Sequence, residues 1–350
     1  MPTDVDFHLP FTAPKPVPDA VEQAQRRGVD WAVQHGLLRP TDAAVGYFLA
    51  MRLADVAAGF CPKAGGPDLD LMTDVITWTA VCDDFFDGPA GDDPAFAAAV
   101  VAALTAVTGA KGPVTASAPA GAEGLAAATA DLWARLHAPM TEQWRDRAGR
   151  SWARFLRSFL AEADARRART VPDLAGYLAL RRETMAMYVY LDAAERTGRY
   201  EVPERVLADP TLRRLSELQI DILAHCNDVH SVEHEEARGD THNLVLVLEA
   251  GSRRPRGEVI EEIRRRVGGL TEEFLHNAAG IPGLLVRLSC DPYERMSTDR
   301  YIRAMTHQLR VTYDWSLATR RYAGQLAAGR RPEYLTHGAA PRGVRTGKAR

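Results

Sequence analysis

The sequence has 350 residues, of which 46% are hydrophobic and 25% are charged, with a formal net charge of −3. This composition is typical of a globular protein, and the charge gives no support to nucleic-acid binding or to binding at an anionic membrane surface. No apolar run approaches the length of a membrane span, and the N-terminus has no signal-peptide pattern. We therefore expect a cytoplasmic protein without stable membrane association.

The N-terminal 18 residues contain five prolines between polar and aromatic residues, which predicts an extended arm. From residue 19 to residue 328, apolar residues recur at three- and four-residue spacing, and Gly or Pro marks the breaks. Long alternating strand patterns, internal repeats and a composition break are missing. The economical interpretation is one all-α domain.

Helical segments are predicted along almost the whole of that domain. They cover residues 40–59, 68–87, a segment after Pro94, a segment around Trp133, and residues 141–165, 171–197, 210–236, 241–250, 257–278 and 291–328. A low-complexity loop is predicted at residues 109–121. Residues 329–350 carry six Lys or Arg against one acid, and we expect a disordered, solvated tail, with phosphate binding as the alternative.

Four cysteines are spread along the chain without a CxxC pair. This spacing argues against a disulfide framework and against a thiolate metal site. We expect buried thiols at Cys61, Cys82, Cys226 and Cys290.

The most informative stretch is the acidic end of the helix predicted over residues 68–87. Asp83 and Asp87 lie one turn apart, in a column that runs back through Thr79 and Ile76, and Asp84 lies one position round. Because the C-terminal carbonyls of a helix carry partial negative charge, these carboxylates need a cationic partner. Mg²⁺, Mn²⁺ or an Arg or Lys side chain would serve, and a solvated acidic helix end is the alternative.

A second stripe of oxygen donors lies on the helix predicted over residues 210–236. Asn227, Ser231 and Glu235 are spaced at i, i+4 and i+8, so one helical face presents an amide, a hydroxyl and a carboxylate, which together can chelate a hard cation. A polar, solvent-facing helix is the alternative. A zinc site is a weaker alternative, because the HExxH order is absent and no cysteine completes a known spacing. Its candidate ligands are His225, His230, His234 and His242.

Together the two motifs resemble the metal-binding pair of the class I terpene synthases, specifically the bacterial terpene cyclases. The first motif, D-D-x-x-D, is Asp83-Asp84-Phe85-Phe86-Asp87, and the second, N-D-x-x-S-x-x-x-E, runs from Asn227 to Glu235. The combination is far more specific than either motif alone. The resemblance covers roughly residues 5–325 and implies a single-domain α-helical bundle around a central active-site cavity.

Two further segments are similar to elements of that family. The segment from Tyr177 to Thr184 resembles its Arg-Arg segment, in which the first Arg, here Arg181, senses diphosphate. The segment from Trp315 to Tyr322 resembles its C-terminal Arg-Tyr element, here Arg321 and Tyr322, which closes on the diphosphate.

The resemblance assigns roles to individual residues. Three Mg²⁺ ions are implied, with Mn²⁺ as the alternative. Asp83 contacts metal on one wall of the cavity. Asp84 and Asp87 orient the Asp83 side chain or pair with an Arg. The metal-motif residues are Asp83, Asp84, Asp87, Asn227, Ser231 and Glu235. The catalytic and diphosphate residues are Asp83, Arg181, Thr184, Met185, His234, Arg321 and Tyr322. Candidates for an apolar cavity wall are Trp78, Phe85, Phe86, Met185, Tyr188 and Trp315, each with ordinary core packing as the alternative.

Two positions depart from the family pattern. His234 stands where members often have a Lys that contacts diphosphate. Met185 stands where many bacterial members have a small residue, usually Gly, whose backbone carbonyl assists the departure of diphosphate. Neither departure removes a metal ligand.

The implied activity is that of a carbon–oxygen lyase that ionises and cyclises a linear isoprenoid diphosphate. We expect farnesyl diphosphate to give a sesquiterpene, with geranylgeranyl diphosphate as the alternative substrate. A chain-elongating prenyltransferase resembles this chain only in the first motif, and a non-catalytic helical scaffold with relict motifs is a further alternative. Homodimers are usual among such enzymes, so a homodimer is a candidate state that the sequence leaves open.

Overall fold

The computed structural model describes residues 5–110, 117–168 and 170–319, and within these ranges the regular structure is helical. The helices are α1 Pro18–Gln34, α2 Asp42–Ala50, α3 Leu53–Phe60, α4 Pro67–Phe86, α5 Pro89–Asp92, α6 Pro94–Thr108, α7 Glu123–His137, α8 Glu142–Ala168, α9 Leu174–Thr184, α10 Met187–Gly198, α11 Glu204–Leu207, α12 Pro210–Arg238, α13 Leu244–Ser252, α14 Arg256–Arg287 and α15 Pro292–Ala318. No β-strand occurs in the described ranges. The all-α prediction is confirmed.

Six helices form a closed ring around a central cavity. Around this ring α3 contacts α4, α4 contacts α10, α10 contacts α9, α9 contacts α12, α12 contacts α15, and α15 returns to α3. Each of the six helices contributes side chains to the cavity wall, and α8 adds one more from outside the ring. The sequence motifs on α4, α9, α12 and α15 therefore face a common space.

The acidic end of α4 is held in place by aromatic stacking against α8. Helix α4 begins at Pro67, and the missing proline N–H removes no helical hydrogen bond because the first-turn N–H groups have no acceptor within the helix. The helix is buried along most of its length. The Trp78 ring stacks on Trp152 at 4.6 Å between centroids, and the Phe86 ring stacks on Phe159 at 4.7 Å. These stacks fix the rotation of α4, and so decide which of its faces points into the cavity.

Two of the predicted helices are each split by a residue with left-handed backbone. The prediction of one helix over residues 171–197 is wrong, because Ala186 has φ of 56° and separates α9 from α10. Arg52, with φ of 54°, likewise separates α2 from α3. Neither residue is a glycine, so each break costs about 1–2 kcal/mol, and the sequence carries no local signal for it.

Helix α14 differs from its prediction in the opposite direction. It continues past the expected end near residue 278 and through Pro282 to Arg287. Proline removes one helical hydrogen bond but does not end this helix, which packs along α12.

The N-terminal arm packs onto the bundle. Residues 5–17 have no regular structure, yet the side chains of Phe7, Leu9 and Phe11 are buried. The Phe7 N–H donates to the Tyr313 hydroxyl at 2.9 Å, and Arg310 Nη1 donates to the Leu9 carbonyl at 3.3 Å. The arm is therefore tied to α15. The division into an arm, a domain at residues 19–328 and a tail stays a prediction, because residues 320–350 lie outside the described part.

Within the described ranges, one stretch is long and apolar enough to span a membrane, which corrects the expectation that none approaches this length. It is Asp42–Phe60, with a mean hydropathy of 1.3, and 56% of it is buried inside the structure. A buried core helix passes the same test, so the finding is weak evidence for a span. The four cysteines are free and buried, as predicted.

We expect Phe11→Ala to lower the free energy of unfolding by about 3 kcal/mol, because it removes a buried ring that packs edge-on against Phe274 at 5.7 Å. Thr12→Ala, at the exposed neighbouring position, is the control and should change it by less than about 0.5 kcal/mol. Urea denaturation of both variants checks this. Equal stabilities would show that the arm is not docked in solution.

Candidate active site

Each of the two motifs contributes one residue to the cavity wall, and Asp84, Asp87, Ser231 and Glu235 are not among the lining residues. Asp83 from the end of α4, Arg181 from α9 and Asn227 from α12 all line it. Of the residues predicted from sequence, those lining this cavity are Asp83, Arg181, Thr184, Met185, Asn227 and Trp315.

Arg181 joins α9 to α12 through a buried ion pair. Its Nη2 lies 2.8 Å from Asp228 Oδ1 and 2.6 Å from Asn227 Oδ1, and its Nη1 donates to Thr184 Oγ1 at 3.2 Å. Burial by itself lowers the pKa of Arg181, but Asp228 outweighs that effect, so the pKa of the guanidinium stands well above its usual value. Arg181 is therefore a permanent cation beside the Asn227 amide.

Asp228 is the partner that keeps Arg181 in place. Its side chain is fully buried, and its Oδ2 accepts hydrogen bonds from the Tyr177 hydroxyl and the Leu244 N–H, both at 2.6 Å. This carboxylate thus ties α9, α12 and the start of α13 together. The sequence motif contains Asp228, but no role was predicted for it.

Ser231 and Glu235 continue the oxygen stripe along α12 beyond Asn227. Ser231 Oγ donates to Glu235 Oε1 at 2.7 Å, and Asn243 Nδ2 donates to Glu235 Oε2 at 2.8 Å. Desolvation raises the pKa of Glu235 to about 7, nearby Asp228 adds to the rise, and Arg181 opposes it. Asn243, which sequence reasoning missed, holds the Glu235 carboxylate in position.

The third aspartate of the first motif is paired with an arginine. Asp87 Oδ1 lies 3.1 Å from Arg166 Nη1, and the same nitrogen lies 3.0 Å from Asp240 Oδ1. Asp84 is buried at the same helix end. An arginine thus faces this acidic helix end, as its charge requires.

Glu162 on α8 is a further acid near the site that the sequence did not single out. Desolvation raises its pKa to about 8; Asp87 and Asp83 add to the rise, while Arg181 and Arg166 oppose it. This carboxyl therefore favours its protonated form at neutral pH more than an ordinary glutamate does. No motif surrounds it, and only the packing of α8 brings it near the aspartates.

Most of the aromatic residues proposed for the cavity wall lie elsewhere. Trp78 and Phe86 stack into the α4–α8 contact, and Tyr188 lies under the Arg154 guanidinium at 5.1 Å. Phe85 packs beside Phe96 at 6.3 Å. The face of α4 that lines the cavity is instead the column of Asp83 with Ile76 and Thr79.

Aromatic side chains on four other helices line the cavity. They are Phe60 from α3, Phe155 from α8, Tyr190 from α10 and Trp315 from α15. Sequence reasoning found only Trp315, because nothing in the local pattern of the others distinguishes a cavity-facing ring from a core ring.

The donor chemistry fits a hard cation. Asn227, Ser231 and Glu235 offer amide, hydroxyl and carboxylate oxygens, which suit Mg²⁺ or Mn²⁺. Within the described ranges no three His, Cys, Asp or Glu side chains form a metal-binding group, which gives the zinc alternative no support. His230 Nε2 lies 3.2 Å from the Val5 carbonyl, and the His242 ring packs against Tyr177 at 5.1 Å.

Three predicted residues cannot be placed. Arg321 and Tyr322, and the side chain of His234, lie outside the described part of the chain. Their roles in diphosphate binding stay predictions.

Comparison with known proteins gives consistent matches over almost the whole chain. Residues 74–273 match the family model described as terpene synthase family 2, C-terminal metal binding. The chain is 36% identical over 329 residues to a pentalenene synthase of Streptomyces avermitilis, covering 93% of this chain and 95% of the relative. It is 34% identical over 339 residues to a (−)-beta-caryophyllene synthase ((2E,6E)-farnesyl diphosphate cyclizing) of Saccharothrix espanaensis, covering 95% and 93%.

Solved structures show the same architecture. A linalool/nerolidol synthase from Streptomyces clavuligerus superposes with a TM-score of 0.78 at 29% identity, covering 89% of this chain and 100% of that one. A germacradien-4-ol synthase from Streptomyces citricolor superposes with a TM-score of 0.76 at 28% identity, covering 90% and 99%.

We expect Asp228→Ala to lower the free energy of unfolding by about 3–5 kcal/mol, because it removes the carboxylate that is directly paired with the buried Arg181. Asp221→Ala is the matched control, since Asp221 pairs with Arg182, which is 26% exposed and keeps contact with water. That variant should lose about 2 kcal/mol or less. If chemical denaturation shows the same loss in free energy of unfolding for both variants, the Arg181–Asp228 pair stabilises the fold no more than the Arg182–Asp221 pair does.

Proposed function

The chain belongs to the bacterial class I terpene synthases, and on that premise we propose that it ionises farnesyl diphosphate and cyclises the resulting cation to a sesquiterpene. Relatives in this family are named as terpene synthases, and one is named for cyclising farnesyl diphosphate. The identity of the substrate, the use of three Mg²⁺ ions and the individual site roles belong to the proposal.

One observation carries the proposal for the site. Asp83 from the first motif and Asn227 from the second line the same cavity, together with Arg181, which donates to Asn227, and several aromatic rings. A charged end joined to an apolar space suits a substrate that is a diphosphate at one end and a hydrocarbon at the other.

The residues that would hold Mg²⁺ are Asp83 on α4 and Asn227, Ser231 and Glu235 on α12. When bound, the metal supplies positive charge that stabilises the diphosphate as the allylic carbon–oxygen bond breaks. Arg181 adds a fixed guanidinium, whose planar set of donors matches phosphate oxygens. Because burial and Asp228 fix its orientation, Arg181 needs little reorganisation when substrate arrives.

The break between α9 and α10 is suited to assist ionisation. Thr184 and Met185 line the cavity three and four positions after Arg181, and α10 begins only at Met187. The left-handed residue here is Ala186, whereas Met185 has an ordinary φ of −69°. A glycine is therefore not needed at position 185, and the Met185 side chain is compatible with the predicted role of this turn.

The remaining wall supports a carbocation and excludes water. Phe60, Phe155, Tyr190 and Trp315 offer ring faces, which attract a cation without reacting with it. The Tyr190 and Thr79 hydroxyls bond to each other at 2.6 Å. Because Thr79 Oγ1 already donates to the Ile76 carbonyl, the Tyr190 hydroxyl donates to Thr79 and is held against α4.

Farnesyl diphosphate is proposed because relatives of the chain include an enzyme whose name specifies cyclisation of that substrate. Geranylgeranyl diphosphate remains the alternative. The test is to incubate the purified protein and Mg²⁺ separately with geranyl, farnesyl and geranylgeranyl diphosphate, and to analyse the extracts by gas chromatography with mass detection.

We expect a cyclic C15 product from farnesyl diphosphate that disappears with chelator. Asn227→Ala should reduce its formation by about 100-fold or more, because the variant removes a proposed metal ligand. Glu233→Ala, at an exposed position on the same helix, is the control and should retain activity. A product from geranylgeranyl diphosphate alone would replace the proposed substrate, and no product from any of the three would overturn the cyclase proposal.

The Mg²⁺ requirement should depend on pH because Glu235 must lose its proton to bind metal. Its pKa is raised to about 7, so the carboxylate is available above that pH and is lost as the pH falls below it. We expect the half-saturating Mg²⁺ concentration to rise as the pH falls from 8 to 6, by up to about tenfold per pH unit below the pKa.

A matched variant separates Glu235 from protonation of the substrate. Asn243→Ser keeps an N-cap oxygen for α13 but removes the amide donor that lowers the pKa of Glu235. The rise in Mg²⁺ requirement should therefore begin at higher pH in this variant. Identical profiles for wild type and variant would show that Glu235 does not control the response.

A further inference from the structure

A second cavity lies at the opposite end of the bundle from the metal motifs. Asp83 lines the cavity described above, here called the upper cavity, whereas Asp68 at the start of the same helix lines the second, here called the lower cavity. Fifteen helical residues separate them, or about 22 Å. The upper cavity measures about 150 Å³ and the lower about 840 Å³.

Phe60 is the side chain that the two cavities share within the described residues. It lines both of them, at the C-terminal end of α3, and it is only 2% exposed. Its ring packs against Tyr190 at 5.4 Å between centroids, and the Tyr190 hydroxyl is held by Thr79. The two rings thus close the apolar end of the upper cavity.

The lower cavity is apolar where it meets Phe60. Cys61, Ala194 and Ala304 line it and are buried, so its inner wall is made of small, uncharged side chains. Of its charged lining residues, Arg199 and Arg303 lie at the surface with exposures of 80% and 58%, and Asp68, which is 14% exposed, is paired with Arg196 and Arg199. A hydrocarbon chain passing Phe60 would therefore meet apolar surface first.

We propose that Phe60 sets the length of isoprenoid chain that this enzyme accepts, by acting as a partition between the two cavities. This inference rests on the proposed function, since it assumes that the substrate's diphosphate lies at the Asp83 and Asn227 end. With the diphosphate fixed there, the hydrocarbon has only the space above Phe60 in which to fold. Removing the ring adds the inner part of the lower cavity, and a chain longer by one isoprene unit then fits.

The test compares two phenylalanines that differ in one respect. Phe60 lines both cavities, whereas Phe155 lines the upper cavity and is not among the lining residues of the lower one. Phe60→Ala and Phe60→Leu are measured against Phe155→Ala and Phe155→Leu, with kcat/KM determined for geranyl, farnesyl, geranylgeranyl and geranylfarnesyl diphosphate. The Leu variants keep buried apolar volume, so they report on chain length even if an Ala variant folds poorly.

We expect Phe60→Ala to raise kcat/KM for the chain one unit longer than the wild-type substrate, relative to that substrate, by at least about tenfold, with Phe60→Leu intermediate. The Phe155 variants should change this ratio by less than about threefold. A Phe60→Ala/Ala194→Phe double variant should recover the wild-type preference, because Ala194 lines the lower cavity and a ring there refills the added space.

Three outcomes separate this inference from the proposed function. If wild type converts no isoprenoid diphosphate, the proposed function fails. If wild type is active and the Phe60 and Phe155 variants shift the ratio equally, or not at all, the partition role is overturned. The partition role is also overturned if Phe60→Ala prefers the same substrate chain length as wild type and only forms more alcohol product. In that case the Phe60 ring would keep water away from the carbocation and would not set the substrate chain length.

Discussion

The buried pair of Arg181 and Asp228 is the interaction on which the charged end of the cavity depends. A guanidinium and a carboxylate removed from water cost free energy that is recovered only if both are fully paired. Here Asp228 accepts from Arg181, Tyr177 and the Leu244 backbone, and Arg181 reaches on to the Asn227 amide. The pair therefore fixes three helices and a proposed ligand at once.

The free-energy cost of burying charged groups also explains the pKa values of the carboxyl groups around the site. Carboxylates on α4, α8 and α12 lie near one another, and desolvation raises the pKa values of Glu162 and Glu235. Arg181 and Arg166 offset this accumulation of negative charge only in part. Such an arrangement favours the binding of cations, which is what the donor stripe on α12 requires.

At the other end of the cavity the constraint is packing and not charge. Stacking of Trp78 and Phe86 against α8 turns the Asp83 column of α4 inward, and Phe60 with Tyr190 closes the space below. Because interiors are close-packed, the volume left inside the ring of helices is set by a few large side chains. In the proposed function the motifs bind the diphosphate end of the substrate, and these rings limit the space for its hydrocarbon.

The sequence by itself determined the fold class, the family and the paired motifs. Helical periodicity and the absence of alternating patterns indicated an all-α chain, and the order of Asp83, Arg181 and Asn227 pointed to one site. These features are readable because they depend on residue type and on spacing within one helix. The column of Asp83, Thr79 and Ile76 was also visible in the sequence, but the sequence did not show that this face of α4 lines the cavity.

Only the tertiary structure decided which aromatic rings face the cavity, where the helices break and how Asp228 is used. Trp78 and Phe60 are both buried aromatic residues in apolar helices, and only the position of neighbouring helices puts one in the core and the other between two cavities. The left-handed Ala186 has no sequence signal, since an alanine favours the helix that it interrupts here. Contacts between residues distant in sequence override such local preferences, and for that reason the motifs were predictable and the shape of the cavity was not.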